Sequence, residues 1–180
     1  MKANVALLDG RAQRLDTMFT DLLSYARIGR TTSPPEDVDV NDIMHEIVTS
    51  LVHVPKGFRV GWQELPRLRT QRSLLSQGLL NLVGNAIKPP ACGAGRIVVS
   101  ARAAEGNAIC FSVADDGPGI PEEDHDKAFT LFQTLKRRDE VEGSGMGLAL
   151  VRKVVKIIGV HLVIATNHPP DAVISFTSPR

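Results

Sequence analysis

Val113-Ala114-Asp115-Asp116-Gly117-Pro118-Gly119-Ile120 ends an apolar run on two carboxylates and then enters a turn that cannot continue a strand or a helix. The alternation from Ala108 to Ala114 has period two and predicts a strand, so Asp115 stands at a strand end. A carboxylate there can accept a hydrogen bond from an exocyclic amine, while Gly117 and Gly119 permit positive φ and close backbone approach. The same residues would also serve as an ordinary turn. Their neighbours decide between the two readings.

Downstream, Gly143-Ser144-Gly145-Met146-Gly147-Leu148 places glycine at every second position and leads into the apolar helix Leu148 to Ile158. Bare backbone N–H groups at a helix start form an anion site, for which phosphate is the natural ligand. Upstream, a helix predicted from Thr70 to Lys88 carries Leu74, Leu75, Leu79, Leu82, Val83 and Ala86 on its buried side. Asn81 and Asn85 are four residues apart on it, one turn from each other on one face. Each amide either satisfies nearby backbone or offers a neutral oxygen ligand to Mg²⁺, which is commonly shared with substrate phosphates.

The rest of the chain supplies a frame. Leu8, Leu15, Met18, Leu22 and Ala26 recur at helical spacing from about Val5 to Ile28, predicting one long helix that ends at Gly29. Thr31-Thr32-Ser33-Pro34-Pro35 cannot prolong it and reads as a linker. Asp39-Val40-Asn41 offers a cap for a second helix bearing Ile43, Ile47, Val48 and Leu51. Arg59 to Trp62 reads as a short strand, Arg96 to Ala103 and Ala108 to Ala114 as a β-hairpin, and Leu162 to Ala165 and Ala172 to Thr177 as two closing strands. Helices set against an antiparallel sheet predict an α+β fold, a two-layer α/β sandwich preceded by one long helix. Three segments follow: 1–30, a helical appendage; 31–38, a linker; and 39–180, a globular domain.

Composition narrows the class. The chain has 180 residues, 43% hydrophobic, enough for one sizeable core. Twenty-one basic against 20 acidic residues leave a net charge of +1, which provides no long-range field toward nucleic acid or a membrane surface. Cys92 and Cys110 lack a partner motif and fit packing positions in a reducing cytoplasm. No apolar run approaches the roughly 20 residues a bilayer span requires, so a soluble chain is expected, though its parent could be membrane-anchored. His53, His125, His161 and His168 form no metal-ligand spacing with a cysteine or carboxylate.

The two asparagines, the Asp-Asp-Gly-Pro-Gly turn and the Gly-x-Gly-x-Gly helix start, in this order, resemble the ATP-binding domain shared by histidine kinases, gyrase-type topoisomerases and Hsp90 chaperones. Within that superfamily the chain looks most like the bacterial sensor histidine kinases. Phe129-Thr130-Leu131-Phe132 is similar to their phenylalanine box, and Arg14-Leu15 through Arg30 to the second helix of their dimerisation and phosphotransfer hairpin. The resemblance covers nearly the whole chain and implies an ATP-binding fold of the Bergerat type and protein histidine kinase activity.

Residue by residue, the resemblance implies that Asp115 holds the adenine amine with Gly117, Gly119 and Ile120 behind it, and that Asn85 ligates Mg²⁺. It places Lys88 near the phosphates, Phe132 at the nucleotide, and Gly143, Ser144, Gly145, Met146, Gly147 and Leu148 around the phosphates. Residues 121–143 would form a lid, with Phe129 and Phe132 packing its hinge and Lys136 to Arg138 within reach of the phosphates. Asn81 takes the position where ATP-hydrolysing relatives carry a glutamate. An amide is no general base near neutral pH, which favours phosphoryl transfer over hydrolysis. Implied partners are a response regulator receiver domain and a second copy through the N-terminal helix.

Pro89-Pro90 departs from the family pattern, removing a ring expected near the nucleotide and shortening the helix before Lys88. The helix carrying the phosphoacceptor histidine is not in the chain. His45-Glu46 has an acidic neighbour of the acceptor kind, but it falls where the ATP domain's own first helix begins, and reads as a helix-surface histidine. The alternative is a non-catalytic, kinase-like module for dimerisation or partner docking.

Overall fold

The computed structural model describes residues 2–30, 33–51, 57–87, 95–105, 108–133, 144–158, 162–166 and 172–179. In chain order the elements are α1 (Lys2–Arg27), β1 (Glu36–Asp39), α2 (Val40–Ser50), β2 (Phe58–Trp62), β3 (Arg67–Thr70), α3 (Arg72–Ala86), β4 (Gly95–Ala104) and β5 (Ala108–Asp115). A short 3₁₀ turn (Glu122–Asp124), α4 (His125–Ala128), α5 (Gly147–Ile158), β6 (Leu162–Thr166) and β7 (Ala172–Pro179) follow.

The main sheet runs β2-β4-β5-β7-β6. It is mixed, because β2 lies parallel to β4 while the other neighbours are antiparallel. The expected wholly antiparallel sheet is corrected here: β2 reaches β4 through α3, a crossover long enough to return the chain in the same direction. Ile97, Val99, Phe111, Val113 and Ile174 on one face of this sheet join Ile43, Ile47, Leu75, Leu79, Val83 and Val151 from α2, α3 and α5 in one buried core. That is the sandwich that the periodicities predict.

Two further strands escaped the sequence reading. β1 pairs antiparallel with β3, with Glu36 opposite Thr70 and Val38 opposite Leu68. Each has four residues, too short to show alternation; they pair by burying Val38, Leu68 and Thr70. Residues 36–38 of the stretch read as linker thus form a strand with Asp39, and α3 starts at Arg72 rather than Thr70. Asp39 then caps α2 by accepting the Asn41 N–H at 2.9 Å. The Asn41 amide in turn donates to the Leu65 carbonyl and accepts the Leu65 N–H, fastening the chain before β3.

A second cluster joins α1 to this body. Ile28 is buried with Leu74, Met146, Leu150 and Val154, and Tyr25, Leu131 and Ile158 pack against it. Farther back, Leu8, Leu15 and Phe19 remain more than half exposed. Cys110 is buried as a free thiol, as a packing residue should be, and Cys92 lies outside the described residues.

Candidate nucleotide-binding site

Asp115 is the last residue of β5, opposite Ile97 of β4 and Ala172 of β7. It shares the parity of Phe111 and Val113, which places it on the helix-covered face of the sheet, at the end of the central strand. Its carboxylate accepts the Gly117 N–H at 2.9 Å, folding the turn back on the strand end. A Cβ at Gly117 would stand 2.5 Å from the same carboxylate oxygen, so any side chain there would push the Asp115 carboxylate aside. Gly119 has φ +71°, the left-handed region that favours glycine.

Asp116, which the sequence reading left without a role, clamps the turn from outside. Both of its carboxylate oxygens lie 3.0 Å from the Arg96 nitrogen, and its own N–H donates to the Arg96 carbonyl at 3.3 Å. The doubled aspartate was the available signal: one carboxylate faces the layer of helices and its neighbour ties the strand ends together. Beyond the turn, Ile120 packs against the main core and its carbonyl lies 3.0 Å from His125 Nε2.

The glycine loop reaches the same body through α5. A Cβ on Gly147 would lie 2.7 Å from Asn85 Nδ2 and 2.8 Å from its Oδ1, so the first turn of α5 rests directly on the Asn85 amide. An amide oxygen and the opening backbone N–H groups of a helix thus stand side by side, a donor and acceptor set suited to a cation shared with phosphate. Gly145 has φ +69°, and a Cβ there would meet the Gln133 carbonyl oxygen at 2.8 Å. Ser144 Oγ accepts the Met146 N–H at 3.2 Å. Met146 is fully buried, and Leu148 packs against the main core.

Asn81 is placed differently from Asn85. Its amide donates to the Gln77 carbonyl at 2.8 Å within its own helix, the backbone-satisfying role open to it from the sequence. Phe132, expected to pack the hinge, is exposed and has φ +62°, while Leu131 beside it packs against the cluster of Met146, Leu150 and Val154. Lys88, Gly143 and Lys136 to Arg138 lie outside the described residues. α3 ends at Ala86, two residues before Lys88. His45 sits exposed on α2 with its ring edge-on to Trp62, centroids 5.0 Å apart.

A carboxylate at a strand end, an asparagine under a helix start and a left-handed glycine loop on one α+β sandwich define a nucleotide-binding domain. Residues 70–180 match the family described as histidine kinase-, DNA gyrase B- and HSP90-like ATPase, and the chain belongs to that family. Among named relatives, the methanogenesis regulatory histidine kinase FilI of Methanothrix harundinacea is 29% identical over 185 residues, covering 99% of this chain and 20% of the relative. The chain thus spans a small part of the length of the curated relatives it matches.

A crystal structure of full-length ShkA in complex with AMPPNP superposes with TM-score 0.77 at 26% identity, covering 99% of this chain and 38% of that one. The nucleotide-free catalytic domain of histidine kinase ThkA superposes with TM-score 0.65 at 26% identity, covering 82% of this chain and 96% of that one. The long N-terminal helix and the sandwich are therefore the architecture of a histidine-kinase catalytic region. Among the described residues no helix is long and apolar enough to cross a membrane.

Proposed function

We propose that the chain is the ATP-binding catalytic part of a two-component sensor histidine kinase, which binds Mg-ATP and passes the γ-phosphoryl to a histidine outside this chain. The observation that carries the reading is the contact between Asn85 and Gly147, which sets an amide ligand against the glycine loop at the start of α5. The naming of FilI as a histidine kinase and of the ShkA complex as one with AMPPNP supports it. ATP supplies the phosphoryl group and Mg²⁺ offsets the phosphate charge.

The chain's own residues hold and orient. Asp115 accepts the adenine amine, with Gly117, Gly119 and Ile120 shaping the turn beside it. Asn85 ligates Mg²⁺, while Gly143, Ser144, Gly145, Met146, Gly147 and Leu148 present backbone N–H groups to the phosphates. Lys88 adds a positive charge near them, and Phe132 lies at the nucleotide. Asn81 cannot deprotonate water, so hydrolysis is slow and the phosphoryl group is kept for transfer. A response-regulator receiver domain then takes it from the histidine, and two copies pair through α1, whose Leu8, Leu15 and Phe19 stand exposed.

Calorimetric titration with ADP and a non-hydrolysable ATP analogue, with and without Mg²⁺, tests this reading beside Asp115→Ala. Saturable, Mg²⁺-strengthened binding that Asp115→Ala weakens at least tenfold is expected. Absence of binding at millimolar ligand would leave the second reading, a non-catalytic module in which the exposed stripe of α1 serves partner docking.

A further inference from the structure

The last turns of α1 are held against α5 and the glycine loop by polar as well as apolar contacts. Asp21, Tyr25 and Ile28 follow one another at four- and three-residue steps and share one face of the helix. Ile28 is buried in the cluster with Met146, Leu150 and Val154. Lys153 of α5 donates to the Tyr25 carbonyl at 2.5 Å, and its ammonium stands 4.2 Å from the centre of the Tyr25 ring. A Cβ on Gly29, which has φ +81°, would come within 2.6 Å of the Ile157 side chain of α5.

At the upper end of this contact the Ser144 hydroxyl donates to the Asp21 carboxylate. The same oxygen accepts the Met146 N–H at 3.2 Å, so one hydroxyl links the long helix to the backbone of the glycine loop. A carboxylate is thereby set against the loop whose N–H groups the nucleotide reading assigns to phosphate. Helix starts favour a nearby anion, and the docked Asp21 supplies one from within the chain. A second anion bound there meets its repulsion, and unit charges a few ångströms apart shift binding roughly three- to tenfold even in a watery medium.

We propose that Asp21 is an autoinhibitory group: with α1 docked on α5, its carboxylate holds Ser144 and opposes the polyphosphate, so that release of α1 raises the affinity of the loop for a nucleoside triphosphate. The inference rests on the nucleotide-binding reading and adds a regulatory role for α1. Linkage makes it reciprocal: a triphosphate in the loop loosens the α1 contact by the same factor.

Asp21→Asn keeps an oxygen that can accept the Ser144 hydroxyl and removes only the charge; Asp21→Ala removes both. Affinities of wild type and both variants for a non-hydrolysable ATP analogue, ADP and adenosine are measured by calorimetry at low and high salt, with thermal melting to show that each chain is folded. Both substitutions are expected to tighten the ATP analogue roughly three- to tenfold, ADP less, and adenosine not at all, with the gain shrinking in high salt. Binding of the analogue by Asp21→Asn but not by wild type also supports the proposal. Wild-type binding that Asp21→Asn leaves unchanged or weakens overturns the autoinhibitory role alone and makes Asp21 a positioning residue. No binding by any of the three overturns the nucleotide reading with it.

Discussion

The two helices that meet at the glycine loop treat their apolar residues in opposite ways. On α5, Ala149, Leu150, Val151, Val154 and Val155 are all buried, whereas on α1 Leu8, Leu15 and Phe19 are 65%, 66% and 62% exposed. Both sequences have helical apolar spacing. The difference is what stands opposite: α5 packs on α3 and on the sheet, while the cluster that joins α1 to the body lies at its C-terminal end, around Tyr25 and Ile28. Apolar periodicity therefore marks a face as apolar without stating what, if anything, covers it.

The largest effect that sharpens this contrast comes from truncating one leucine in each helix. Leu150 is 2% exposed, and Leu150→Ala should cost about 2–5 kcal/mol of stability. Leu15→Ala should change the stability of the isolated chain by no more than about 0.5 kcal/mol. Denaturant titration of both variants measures the pair. Comparable losses would mean that the α1 stripe is already covered in solution, by self-association, and dilution of the sample would then separate them.

Glycines give the second contrast, with opposite signs. Gly145 has φ +69° and no space for a Cβ beside the Gln133 carbonyl, so Gly145→Ala should destabilise by about 1–2 kcal/mol from backbone strain alone. Gly10, inside α1, has nothing within 4 Å of the place a Cβ would take. Gly10→Ala should stabilise α1 by up to about 1 kcal/mol through helix propensity. Circular dichroism melts of the two variants should therefore shift in opposite directions, and a loss of stability at Gly10 would show that a partner approaches α1 there.

How much was legible in the sequence differs between the same regions. The sandwich was, because α3, α5, β4 and β5 are long enough for their apolar period to stand out. The edges of the site were legible through residue type: an aspartate at a strand end, alternating glycines before a helix, an asparagine in the last turn of an apolar helix. What the sequence hid is contact between distant segments. Nothing in a local pattern pairs Glu36–Asp39 with Arg67–Thr70, aims Asp116 at Arg96, or brings Asp21 to Ser144 across 123 residues. The parallel pairing of β2 with β4 was hidden for the same reason, since strand direction is fixed by the crossover and not by the strand. Which ring or side chain packs at the hinge was hidden as well: Phe132 is exposed, and Leu131 beside it packs.

The smallest effect concerns how two helices begin. α5 is preceded by a neutral hydroxyl, Ser144, on the Met146 N–H, while α2 is capped by a carboxylate, Asp39, on the Asn41 N–H. Hydrogen bonds from the Asn41 side chain, then from Arg67, and then from the Asn41 backbone hold the Asp39 carboxyl below its ordinary value. With the folded value depressed, the unfolded chain binds the proton more readily. The stabilisation is thus complete above the unfolded value of about 3.9 and is lost as pH falls through the folded one. The melting temperature of wild type should exceed that of Asp39→Ala by a constant margin from pH 7 to about pH 5, and the margin should shrink below about pH 4. The Ser144 hydroxyl itself stays neutral across this range. A difference at Asp39 that widens on acidification would mean that Asp39 acts through some contact other than its cap and its Arg67 partner.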